Sequence, residues 1–187
     1  MLVIFGGSFN PPTKAHLELY NKIKENFNCK VLVMPLSKTK YPWKDNLLDD
    51  EVRYDMLKLM FNEDEISKYE FNLNEYKGTY QMLKDHTYLD KDIYFVCGTD
   101  NLKQLDKWIN YDKLISEFKF IIVKRPGDEV CTRNMGAYQD NFTILEMNNE
   151  ISSTLIREDV CKYKEYLDKN VYKYIVENKL YGVDINV

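Results

Sequence analysis

The sequence predicts an α/β protein built on a doubly wound, mostly parallel sheet. Three observations carry this expectation. Apolar runs rich in β-branched and aromatic residues recur as "LVIF", "KVLVM", "DIYFVC", "FKFIIV" and "FTILEM". Helix-period patterns lie between most of them, and no Gly/Ser-rich linker or internal repeat divides the chain. A length of 187 residues suits one domain, 1–187, because a single core usually serves on the order of 100 to 200 residues.

Taken in order, "LVIF" reads as the first strand, followed by a helix from about Thr13 to Phe27 and the strand "KVLVM". A second helix is expected from about Asp49 to Asn62, with Val52, Met56, Leu59 and Met60 at helical spacing behind an aspartate suited to cap it. A third spans about Thr79 to Thr87, and His86 near its end reads as a surface residue. The strands "DIYFVC", "FKFIIV" and "FTILEM" follow, and "NVYKYIVENKLY" forms a last helix with Val171, Tyr174 and Ile175 on one face. In such sheets ligands bind beyond the carboxyl ends of the strands, so the turns after strands are where chemistry is sought.

Composition narrows the classes. The chain is 44% hydrophobic, 30% charged and 14% aromatic, a globular balance that excludes a disordered chain. A net charge of −4 argues against a protein that coats nucleic acid, although the local cluster "SKTKYPWK" suits a phosphate. Cys29, Cys97, Cys131 and Cys161 form no C-x-x-C pair, so neither a disulfide framework nor a zinc site is expected and a reducing, cytoplasmic setting is. "MLVIF" is shorter than a signal-peptide core, and no apolar stretch reaches the ~18 residues of a membrane helix, so a soluble protein without a membrane partner is expected. A homo-oligomer is left open.

The stretch "GGSFNPPTKAH" sits between the first strand and the first helix. Gly6 and Gly7 permit positive φ and close approach of backbone to a ligand, while Pro11 and Pro12 stiffen the approach to the helix. With Thr13 as N-cap, His16 falls in the first turn, where a side-chain donor points toward the same anion as the free N–H groups. His16 also shares a face with Tyr20, Ile23 and Phe27, so the same ring serves equally as a packing residue. The spacing matches neither a P-loop nor G-x-G-x-x-G. Near the other end, "EISSTLIRED" follows the last strand: Ser152 is placed as an N-cap, with Ile151 and Ile156 spaced as a hydrophobic staple. Ser153, Thr154 and Arg157 then lie within one helical turn, two hydroxyls and a guanidinium suited to the oxygens of a polyphosphate.

Together, "GSFNPPTKAH" resembles the G-x-F-x-P-x-[HT]-x-G-H signature of the nucleotidylyltransferases, and "ISSTLIR" resembles their late I-S-S-T-x-x-R motif. "FVCGTDNLKQLDKW", "FIIVKRPG" and "VYKYIVENKLYG" are similar to segments of the nicotinate and nicotinamide mononucleotide adenylyltransferases. Ala15 stands where that family has Gly, and Thr13 where many members have a first His. The resemblance covers nearly the whole chain and implies a Rossmann-like fold. It also implies transfer of AMP from ATP to nicotinic acid mononucleotide, giving deamido-NAD and pyrophosphate, with Mg²⁺ arriving on ATP and no protein cage for a metal.

By the same resemblance, His16, Arg157 and Thr13 are the catalytic set. The ATP contacts are Gly6, Gly7, Ser8, Phe9, His16, Gly98, Asp100, Ile151, Ser152, Ser153, Thr154 and Arg157. Lys44 is the lysine near the mononucleotide phosphate, Tyr76 and Thr79 flank the pyridine ring, Trp108 stacks on it, and Arg125 joins them or only stabilises a turn. Elementary chemistry agrees: a phosphate monoester is already an oxygen nucleophile at pH 7, so positioning and charge neutralisation suffice without a covalent intermediate. Two rivals share the motifs, a phosphopantetheine adenylyltransferase and a non-catalytic nucleotide-sensing module.

Overall fold

A computed structural model describes residues 1–41, 44, 46–148 and 152–183. Its elements run β1 (Leu2–Gly7), α1 (Lys14–Phe27), β2 (Lys30–Pro35), α2 (Asp50–Lys58), α3 (Gly78–Asp85) and β3 (Ile93–Gly98). They continue as α4 (Thr99–Leu102), α5 (Tyr111–Glu117), β4 (Lys119–Lys124), β5 (Phe142–Glu146), α6 (Ser153–Glu158) and α7 (Lys169–Glu177). The five strands form one sheet in the order β2-β1-β3-β4-β5. Parallel pairing joins β1 to β3, β3 to β4 and β4 to β5. The bonds Lys30 N–H to Met1 O and Leu36 N–H to Gly7 O, start to start and end to end, show that β2 runs the same way as β1. The chain therefore winds outward from β1 to β2, returns, and winds outward again through β3, β4 and β5. The doubly wound parallel sheet expected from the apolar runs is present.

The contacts group the chain into two compact units, each assembled from three separate stretches: Met1–Gly6, Ile23–Val33 and Leu73–Glu150 in the first, and Gly7–Lys22, Met34–Asn72 and Ile151–Val187 in the second. In the first unit the central strands are buried on both faces, which is why they read as continuous apolar runs. Phe120, with no exposed surface, packs edge-on against Phe95 and stacks on Phe142 at 4.7 Å. His86 corrects the sequence reading: it is 4% exposed and its Nδ1 lies 2.7 Å from the Met82 carbonyl. The ring takes up a carbonyl of the last turn of α3 inside the protein.

In the second unit Met56, Ile156, Val160, Leu167, Val171 and Ile175 form one core shared by α2, α6 and α7. The predicted face of α7 is therefore the packed one. α2 is shorter than predicted and its face is shifted: Leu57 is fully buried, whereas Leu59 is 39% exposed at the C-cap. Asp49 stands at the N-cap position but makes no cap bond, because its carboxylate takes Lys38 Nζ at 2.8 Å instead. Among the described residues no helix is long and apolar enough to cross a membrane.

Candidate active site

In the second unit, the loop from Gly7 to Thr13 is shaped by close contacts. The expected positive φ lies at Phe9 (φ 46) and at neither Gly6 nor Gly7, which remain within β1. What the glycines supply is room. A Cβ on Gly7 would stand 3.0 Å from the Phe9 ring, and one on Gly6, in the first unit, 3.1 Å from Phe95. Phe9 is 1% exposed and its ring lies 5.0 Å from that of His16. The two rings pack at a tilt of 56°.

Thr13 is 1% exposed and addresses His16 twice: its backbone N–H donates to Nδ1 at 3.0 Å, and its hydroxyl lies 2.8 Å from the same atom. Nδ1 therefore acts as acceptor, and the neutral ring carries its hydrogen on Nε2. Tyr20 and Ile23 on the same helical face are buried while His16 is half-buried, so the ring is anchored at one edge without being a core residue. Both contacts hold the His16 ring in one orientation.

The late motif belongs to the same unit. Ser152 caps α6 as predicted, its hydroxyl accepting the Leu155 N–H at 3.2 Å. Ile151 lies outside the described residues, so the staple is not described. Ser153 Oγ donates to the Pro11 carbonyl at 2.8 Å, and Arg157 donates to the Asn10 carbonyl at 2.7 Å and to Thr154 Oγ1 at 3.2 Å. The two motifs, 147 residues apart between Asn10 and Arg157, are thus one hydrogen-bonded structure. Lys44 Nζ reaches Ser8 Oγ at 3.1 Å, which brings that predicted lysine to the same loop.

Arg53 has no exposed surface, and no motif in the sequence marks it. Its guanidinium donates to the carbonyls of Ser8, Leu36 and Leu48 and pairs with Asp50 at 2.6 Å. Burial lowers its pKa, and the Asp50 carboxylate opposes that shift. The only signal available in the sequence was a charge three residues before Met56 on the inward side of α2.

In the first unit the carboxyl ends of β1 and β3 lie side by side, where the strand order reverses. A Cβ on Gly98 would collide with the Asp100 carboxylate, so only glycine lets that carboxylate fold back over the strand end. Thr99 Oγ1 donates to Asp128 at 2.6 Å, and Asp128 also accepts the Arg125 N–H at 3.0 Å. The Thr99 hydroxyl is the main reason the Asp128 carboxyl titrates below its usual range. Arg125 itself is exposed and lines a cavity of about 170 Å³ with Lys124, Gly127, Glu146 and Met147. Trp108 is half-buried and meets Phe95 edge-on at 6.0 Å. Gly78, at φ +83, opens α3 one residue before Thr79, and a Cβ there would stand 2.9 Å from Ile109, next to Trp108. Tyr76 precedes that turn and is half-buried. Among the described residues no three His, Cys, Asp or Glu side chains are grouped to hold a metal ion.

A parallel sheet with glycine-tipped strands, together with a histidine and an arginine tied through one loop, defines a nucleotide-handling transferase. The chain belongs to the cytidylyltransferase-like family, whose family model matches residues 4–159. Within it, the chain is similar to nicotinate-nucleotide adenylyltransferases. It is 36% identical over 187 residues to the probable enzyme of that name from Acholeplasma laidlawii, covering 97% of each chain. Against the one from Endomicrobium trichonymphae it is 34% identical over 190 residues, covering 96% of this chain and 98% of that one. The fold matches the structure of Plasmodium falciparum nicotinic acid mononucleotide adenylyltransferase complexed with NaAD, with a TM-score of 0.78 at 22% identity, covering 99% of this chain and 98% of that one.

Proposed function

We propose that this chain, acting as a single nucleotidylyltransferase domain in the cytoplasm, transfers AMP from ATP to nicotinic acid mononucleotide in NAD biosynthesis. The products are deamido-NAD and pyrophosphate. The observation that carries the reading is the bonding of Arg157 and Ser153 to the Asn10–Pro11 carbonyls, which ties the late motif to the loop that orients His16.

A phosphate oxygen of the mononucleotide attacks the α-phosphorus of ATP. The bond from that phosphorus to the oxygen bridging the β-phosphate breaks, and pyrophosphate leaves with the electron pair. No protein nucleophile is needed. His16 donates from Nε2 to the α-phosphate, where negative charge grows. Arg157 and the Ser152–Thr154 turn hold the β- and γ-phosphates. Gly98 and Asp100 take the adenosine ribose. Lys44 neutralises the acceptor phosphate, and Tyr76, Thr79 and Trp108 receive the pyridine ring. Mg²⁺ enters as part of the ATP substrate, screening the triphosphate.

Pyrophosphate release with Mg-ATP and three acceptors in parallel tests the reading. Release with nicotinic acid mononucleotide supports it. Release with 4′-phosphopantetheine alone would assign a different acceptor, and none with any acceptor would leave a non-catalytic nucleotide-binding module.

A further inference from the structure

We propose that Tyr181 is a positioning residue for adenylyl transfer, acting through the side-chain amide of Asn10. The inference rests on the functional reading above and concerns the second unit alone.

Tyr181 lies in the turn Leu180–Gly182 after α7, with φ 56 and ψ 28, a left-handed conformation that a bulky side chain rarely adopts. Its hydroxyl lies 2.8 Å from Asn10 Oδ1, a contact spanning 171 residues of sequence. Asn10 is 1% exposed, and among the described residues its other bonds run to backbone or to Arg157. Its Nδ2 donates to the Asn46 carbonyl at 2.8 Å, its Oδ1 accepts the Leu48 N–H at 3.3 Å, and its own carbonyl accepts Arg157 at 2.7 Å.

The roles within this cluster are determined. Asn46 O can only accept and Leu48 N–H can only donate, so together they set which end of the amide is oxygen. Oδ1 then faces the phenol, and Tyr181 must be the donor. Burial raises the phenol's pKa and keeps its proton in place, against the opposing charges of Arg157 and Arg53. Without that hydroxyl, Oδ1 retains one long bond. Asn10, which bonds both the Asn46–Leu48 stretch after Lys44 and Arg157, then loses its tie to the turn after α7, and its amide and carbonyl are held less firmly.

The test compares the full-length parent with Tyr181→Phe, which keeps the ring and loses the hydroxyl, and Tyr181→Leu, which loses both. Each is assayed with Mg-ATP and nicotinic acid mononucleotide and melted thermally. A residue that only packs would be rescued by Phe in both stability and turnover. The positioning role predicts that Phe holds Tm within about 4 °C of the parent, the shift expected from one hydrogen bond in a chain of this size. It also predicts that kcat falls roughly ten-fold or more, as for a misplaced reacting group. Should Tyr181→Leu fail to fold, Tyr181→Phe decides by itself. An active parent with an equally active Tyr181→Phe, or a loss of kcat that merely follows a collapse of Tm, overturns the inference alone. A parent inert with every acceptor overturns the functional reading and this inference with it.

Discussion

Thr13 and His16 are joined at both of Thr13's donors, with the backbone N–H 3.0 Å and the hydroxyl 2.8 Å from His16 Nδ1. This arrangement makes Nδ1 an acceptor and leaves the hydrogen of the neutral ring on Nε2, the atom that the proposed role uses as donor. His16→Ala is therefore expected to lower kcat by ~100-fold or more while KM for ATP stays within a few-fold, the pattern of a donor used mainly in the transition state. Thr13→Val, which keeps the N–H, should cost less. Steady-state kinetics over ATP concentration check both, and turnover by His16→Ala close to the parent's would remove the assigned role.

Arg157 differs because its guanidinium is half-buried and already bonded to Asn10 O and Thr154 Oγ1. A preformed cation on the β- and γ-phosphates binds ground state and transition state alike. Arg157→Ala should thus raise KM for ATP as well as lower kcat. An unchanged KM for ATP counts against that placement.

Glu70 is 4% exposed, and its Oε2 has no hydrogen-bond partner among the described residues. Burial pushes its pKa up to about 7; the Tyr41 hydroxyl, 3.4 Å from Oε1, opposes this, and the nearby Asp50 charge adds to it. An acid held neutral by the fold binds its proton more tightly folded than unfolded. Stability should therefore fall as pH rises from about 4.5 to about 7, by on the order of 3 kcal/mol in all. Glu70→Gln removes that slope, so the variant should gain on the parent between pH 5 and pH 8 in denaturant melts. Parallel pH profiles for the two proteins would place the titration elsewhere.

The acid mononucleotide is expected to be preferred over the amide. α3 opens at Gly78, so the free N–H groups of its first turn lie around Thr79. The acidic neighbours are engaged: Glu75 is 3.7 Å from Lys77, and Asp106 accepts from Asn134 at 3.3 Å. A charge-assisted pair of hydrogen bonds against neutral ones is worth ~1.5 to 3 kcal/mol, or roughly ten- to a hundred-fold in kcat/KM. Equal efficiencies measured side by side would show that this helix end does not address the ring substituent.

Short-range physics was legible in the sequence. Apolar runs marked β1, β3 and β4 because central parallel strands are buried on both faces. Ser152 was readable as a cap because that bond joins residues three apart. Where local rules failed, another contact had prevailed: Lys38, eleven residues away, took Asp49 from its cap, and His86 turned inward onto the Met82 carbonyl four residues before it. The motif residues could be named from their spacing, but nothing local announced what orients them. Arg53 reaches Ser8 over 45 residues, Arg157 reaches Asn10 over 147 and Tyr181 reaches Asn10 over 171. Such bonds exist only once the chain has closed, because each satisfies a buried donor or acceptor that the fold itself removed from water.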